Sequence, residues 1–258
     1  MKKEFQHKMS FEELKDFLDF KADHYNNPAL FIETDPIQMA HRFEKKEDIE
    51  IVGFLMSTIA WGNRKSIITS GERILEIMEQ DPYRFVSDYK SFDSPFVHRT
   101  FNAEDLDTFF KNLQLLYKNG GLEKAFATDP GNPGAMGRIV SFRNAFTASD
   151  FPDRTQKHVA NPLKGSSSKR LNMYLRWMVR NDNKGVDFGI WKTISPSELH
   201  LPLDVHTGNV ARKLGLLTRT QNDWKAVAEI QEHLVRMDAE DPCKYDFALF
   251  GLGAFEGF

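Results

Sequence analysis

The 258-residue sequence predicts an all-α, mainly helical protein, and three observations carry that expectation. Apolar residues recur at the three-to-four spacing of a helix face along most of the chain. Signals that start or stop helices bracket these stretches: Ser10 with Glu13, Gly62-Asn63 and Asn119-Gly120-Gly121. No succession of alternating strands intervenes, and no internal repeat is present.

Ser10 and Glu13 have the form of a capping box, and Phe11, Leu14, Phe17 and Leu18 follow at helical spacing, so a first helix is expected over 10–24. After the Asp35-Pro36 turn, two helices are expected over 47–61 and 65–79. Gly62 and Asn63 separate them, making a helical hairpin. A further helix over 103–118 repeats Leu106, Phe109, Phe110, Leu113 and Leu116. The Gly/Pro-rich stretch 127–137 reads as a loop, followed by a shorter helix over 138–146. Asn161-Pro162-Leu163-Lys164-Gly165-Ser166-Ser167-Ser168 is a turn-and-cap sequence leading into a strong helix over 169–180. Ser195-Pro196 and Leu201-Pro202 mark a loop, because each proline disfavours a helical residue before it. The last helices fall over 205–214, 223–237 and 242–250.

With 41% hydrophobic and 28% charged residues, the composition supports a real core, and no low-complexity linker divides the chain. One domain over 1–258 is therefore expected, either as a single body or as two helical lobes with a cleft between them. The longest apolar run, 51–60, contains Gly53, Ser57 and Thr58 and falls short of the roughly 20 residues of a membrane span. The charged start of the chain, 1–8, has no apolar signal-peptide core behind it, which points to the cytoplasm and away from membranes. Cys243 is the only cysteine, so this chain alone forms no internal disulfide, multi-cysteine zinc site or iron–sulfur cluster, and neither metal nor cofactor is expected. The net charge of -3 means that any nucleic-acid site is a local patch.

Such a patch is visible between Arg154 and Lys184. Its basic residues are Arg154, Lys157, Lys164, Lys169, Arg170, Arg176, Arg180 and Lys184, against a single acid, Asp182. On a helix, Lys169, Met173, Arg176 and Arg180 share one face, while Leu171, Leu175 and Met178 share the other. The cationic face reads either as an ordinary solvated face or as a phosphate-binding surface. Before it, Gly165 and three serines offer small residues and a helix amino terminus whose free amides suit a phosphate. Downstream, Asp204 stands at a helix start, where it is either a plain N-cap or an acid kept ionised by the helix dipole. Trp61 and Trp177 read as core residues, and His206 as a helix-start histidine or a hydrogen-bond donor to DNA. The acids around Asp241-Pro242 and Asp246 read as a capped helix with surface ion pairs, or else as a cluster that orders the cleft wall.

The segment Leu203-Asp204-Val205-His206, followed by Val210-Ala211-Arg212-Lys213-Leu214-Gly215, resembles the Val-Asp-Thr-His or Val-Asp-Val-His segment of helix-hairpin-helix DNA glycosylases. Gly165-Ser166-Ser167-Ser168-Lys169 is similar to that family's Gly-x-Gly-x-Lys hairpin, with Ser167 in place of the second glycine. The run 54–61 resembles the early helix ending at the family's base-probing position, with Ile59 where a polar residue is common. The run 247–251 looks like the closing helix. Asp204 follows Lys169 at a longer interval than is usual there, and an insertion over 181–198 accounts for the difference. The whole sequence also resembles an uncharacterised family of bacterial proteins, which implies a fold and no established activity.

The resemblance implies a two-lobed, mainly helical fold and a DNA base-excision glycosylase with AP lyase activity on damaged duplex DNA. It casts Lys169 as the nucleophile that forms a Schiff base and Asp204 as the catalytic acid. The amine must shed its proton, which burial and cationic neighbours such as Arg170 promote. Lys164, Gly165, Ser166, Ser168, Arg170, Arg176, Arg180 and His206 are the expected DNA-binding residues. The alternative is a non-catalytic DNA-binding or scaffold protein that keeps the fold, and an RNA partner would use the same phosphate logic.

Overall fold

Ser10 opens the first helix as its sequence requires: its hydroxyl accepts from the Glu13 amide at 3.3 Å, and the Glu13 carboxylate accepts from the Ser10 amide at 2.8 Å. The computed structural model describes residues 9–258, and the charged stretch 1–8 lies outside the described residues. From that cap, α1 (Phe11–Tyr25) leads through a single turn, α2 (Pro28–Phe31), to a longer 3-10 turn (Pro36–Arg42) that Asp35 caps. The expected hairpin follows as α3 (Lys46–Ile59) and α4 (Arg64–Ile77), with Asn63 as the cap of the second helix. Almost all of α3 is buried, in keeping with a helix apolar on every side.

A short helix, α5 (Pro82–Ser87), and a two-stranded antiparallel hairpin, β1 (Val97–His98) with β2 (Phe101–Asn102), precede α6 (Ala103–Lys118). The Asn119-Gly120-Gly121 stop is real, but a further turn, α7 (Gly121–Ala125), starts at once from it. The next helix, α8 (Gly134–Phe146), begins four residues earlier than its apolar pattern suggests, because Pro133 takes the extended N-cap conformation. Then come α9 (Asp153–Gln156), α10 (Lys169–Val179), α11 (Val205–Lys213), α12 (Trp224–Met237) and α13 (Tyr245–Ala254). The last helix starts three residues later than expected, after a 3-10 turn at Pro242–Lys244, and continues through Gly251. A β-carbon at Gly251 would lie 2.2 Å from the Tyr25 ring, so this glycine admits the close approach of α1 to α13.

The architecture is mainly helical, and two large clusters of buried apolar side chains organise it. The first is built from α3, α4, α6, α8 and α10, with Phe54 at its centre, 5.2–5.7 Å by ring centroid from Phe109, Phe142, Phe146 and Tyr174. Trp177 is fully buried in it, as the core reading of that residue requires. The second joins the two ends of the described chain: α1 packs with α11, α12 and α13. Among the described residues, no helix is long and apolar enough to cross a membrane.

Candidate functional site

A cleft of about 1130 Å³ is lined by residues of both clusters' helices, and the hairpin 161–168 forms one edge of it. The local sequence explains the hairpin. Asn161 caps a 3-10 turn (Pro162–Lys164) by accepting from the Leu163 amide at 3.0 Å, and Gly165 then takes a left-handed conformation (φ 86°) that a glycine adopts without strain. Ser168 is also left-handed (φ 51°), an unusual state for serine, and is buried at 1% exposure. The amides of Gly165, Ser166 and Ser168 donate to Pro162 O, Asn161 O and Ser166 Oγ, all within the hairpin. Three of the hairpin's amides are therefore used within the hairpin itself.

Lys169 is the first residue of α10, where an ammonium runs against the helix dipole. The offset comes from a residue far along the chain: Lys169 Nζ lies 3.8 Å from Asp204 Oδ2. Asp204 takes the N-cap position that its sequence suggested. Its Oδ1 accepts from the Thr207 amide at 2.9 Å and so caps α11, which leaves Oδ2 turned to Lys169. The Lys169 side chain keeps 29% exposure and the Asp204 side chain 21%, so both open onto the cleft.

The remaining expected DNA-binding residues separate into two groups. Lys164, Ser166 and His206 are exposed on the cleft lining, and Gly165 is exposed beside it with its carbonyl committed to the Trp224 amide at 3.1 Å. Arg176, Arg180 and Ser168 are buried instead, whereas Arg170 is partly buried on the cleft lining. Arg176 and Arg180 are 2% and 3% exposed, so the cationic face of α10 is not a solvent face. Arg176 pairs with Asp187 at 3.2 Å and with Asp246, and Arg180 pairs with Asp182, Asp187 and Asp241 at 2.8–3.2 Å. These acids neutralise the two arginines and tie α10 to the segment after it and to α13. Ser168 is too buried to meet a duplex. The Arg170 guanidinium donates to the Thr58 carbonyl and lies 5.8 Å over the Trp61 ring.

Several cleft residues escaped the sequence reading. Asp246 is buried on the lining, bound to Arg176, and its carboxyl pKa is pushed up to about 6, chiefly by burial, with Arg176 opposing. It was expected in a surface ion-pair cluster, yet an acid inside the otherwise apolar stretch Tyr-Asp-Phe-Ala-Leu-Phe is itself a sign of a buried, paired carboxylate. Trp61, expected in the core, is half-buried on the cleft wall between Arg99 and Arg170, whose guanidinium carbons lie 5.1 and 5.8 Å from its ring. Arg64, at the start of α4, stacks 5.5 Å from the Phe250 ring of α13 and adds an exposed cation to the cleft, as does Lys157. Lys157 belongs to the basic stretch already visible in the sequence, whereas spacing carries no signal for Arg64, whose ring partner belongs to another element.

A mainly helical protein with a lysine–aspartate pair facing a large cleft is thus the class that fold and site define. Residues 35–255 match the model of a family described as proteins of unknown function, DUF2400, and the chain belongs to that family. No curated protein and no solved structure matches the chain.

Proposed function

We propose that this protein is a DNA base-excision glycosylase with AP lyase activity and that Lys169 is its nucleophile. The observation that carries the reading is the meeting of Lys169 and Asp204, brought from distant parts of the chain to 3.8 Å on the wall of one cleft. The likeness of Gly165–Lys169 and of Leu203–His206 to the hairpin and acid segments of helix-hairpin-helix glycosylases points the same way. At about 1130 Å³ the cleft slightly exceeds the roughly 300–1,000 Å³ of small-ligand sites, enough for one flipped nucleotide.

The chemistry begins when the Lys169 ammonium that faces Asp204 gives up a proton to solvent. The neutral Lys169 amine attacks C1′ of the flipped nucleotide while the C1′–N bond breaks, and its electron pair leaves with the base, which takes up a proton. The Asp204 carboxylate stabilises the positive charge that develops on the sugar and accepts the proton shed by the attacking nitrogen. Opening of the sugar ring gives an imine between Lys169 and C1′. Loss of a C2′ proton then expels the 3′ phosphate by β-elimination and cuts the strand. Lys164, Lys157, Arg64 and His206, exposed along the cleft, supply the phosphate contacts that the buried arginines of α10 cannot.

Incubation with duplexes carrying an abasic site or an oxidised guanine, followed by borohydride, tests the reading. A covalent protein–DNA adduct is expected for the wild type and none for Lys169→Gln. An adduct that survives Lys169→Gln removes Lys169 from the role, and DNA binding without any adduct favours a binding module that keeps the fold.

A further inference from the structure

Lys169 and Asp204 are carried by separate segments with a long irregular stretch between them, and the direct link between the carriers is a long one, Ser167 Oγ donating to Leu203 O at 3.5 Å. The turn between α11 and α12 touches each carrier. On one side, Asp223 pairs with Ser166 in an antiparallel bridge, and the Trp224 amide donates to Gly165 O at 3.1 Å, which holds the hairpin that begins α10. On the other side, Asn222 Nδ2 donates to the backbone carbonyl of Asp204 at 3.0 Å. Three consecutive residues, Asn222, Asp223 and Trp224, therefore grip both carriers of the pair.

The turn is itself anchored. Arg212, on the last turn of α11, donates to Asn222 Oδ1 at 2.6 Å, to Thr220 O at 2.9 Å and to Arg219 O at 2.8 Å. Both ends of the Asn222 amide are thereby used, and its orientation follows from Arg212, which has no acceptor of its own. Gly208 makes room for this arrangement: a β-carbon there would lie 2.7 Å from Asn222 Oδ1 and 3.0 Å from an Arg212 nitrogen. Asp204 is thus fixed from two directions, through its carbonyl by Asn222 and through its Oδ1 by the Thr207 amide.

We propose that Asn222, held by Arg212, is the positioning residue that sets the separation of Lys169 and Asp204, the turn 222–224 acting as a bracket between hairpin and N-cap. The proposal rests on reading Lys169 and Asp204 as the acting pair, and a measurement of the pair itself keeps the two readings apart.

Reductive methylation with ¹³C-formaldehyde labels the lysines of the whole protein, and the Lys169 resonance is assigned by its loss in Lys169→Gln. Asp204→Asn gives the reference shift for a Lys169 without a facing carboxylate. Asn222→Ala is expected to move the resonance towards that reference. Gly208→Ala, which changes no polar group and puts a better helix former in α11, is expected to do the same while the protein stays folded. In parallel, single-turnover borohydride trapping on abasic duplex is expected to fall roughly 10- to 100-fold in both variants, with the Kd for the same duplex unchanged. An unmoved resonance in both variants overturns the bracket, and so does trapping equal to that of a wild type that forms the adduct. A resonance that moves while the wild type forms no adduct supports the bracket and overturns the glycosylase reading instead.

Discussion

Asp204 divides its work between two oxygens, and this division makes its roles separable by mutation. Asn at an N-cap is as good as Asp, so Asp204→Asn should keep the cap on Thr207 and hold thermal stability within a few degrees. It removes the charge facing Lys169, and single-turnover adduct formation is expected to fall roughly 10²–10⁴-fold, the range of a lost general base. Asp204→Ala loses the cap as well and should cost about 1 kcal/mol more in a denaturant titration. Asp246 makes a prediction of the opposite kind. Its carboxyl titrates near 6 in the fold, above the ordinary value of 3.8, so between those values the folded protein holds a proton that the unfolded chain has lost. Stability contributed by this group therefore falls as pH rises from about 4 to 6, and melting curves of Asp246→Asn should lack that part of the wild-type decline. Lys169 and Asp204 were legible in the sequence because each sits in a local motif. Asp246, Trp61 and Asn222 were not, because their partners Arg176, Arg99 and Arg212 are chosen by the tertiary fold.

The helix α10 shows what periodicity reads and what it leaves open. The spacing of Arg176 and Arg180 on one face was correct, but a 3.6-residue period cannot say whether a charged face meets water or buried acids. Here it meets acids: Asp182 and Asp187 come from the very stretch that looked like an insertion, and Asp241 and Asp246 from the start of α13 and the turn before it. Arg176→Leu leaves buried carboxylates without their partner and should destabilise the protein by about 3–5 kcal/mol in urea unfolding. A phosphate-contacting arginine would instead weaken DNA binding and leave stability near the wild type. Helix α13 was only partly legible for a related reason. The helix was expected to end at Phe250, whereas Gly251 is the point where α1 comes closest, and the helix continues to Ala254. Short elements such as α2, α5 and α7 carry too few residues to show a period at all.

Across the whole molecule, the mainly helical class was legible because long helices dominate and their apolar stripes are strong. The partition of buried side chains into two clusters was harder to read, since the second joins α1 to the last three helices across nearly the full length of the chain. The cleft lies where these parts meet, and its exposed cations stand out on a chain of net charge -3. DNA affinity should therefore fall with salt through a few phosphate contacts, and Lys164→Ala should lower the slope of log K against log salt by about 0.9. The central claim, that Lys169 is the nucleophile in this cleft, is tested most directly by locating the covalent bond. The adduct trapped by borohydride on an abasic duplex is digested with nuclease and protease, and the modified peptide is sequenced by mass spectrometry. The account predicts a reduced sugar remnant on Lys169. A remnant on another lysine or on the amino terminus, with Lys169 unmodified, would contradict it.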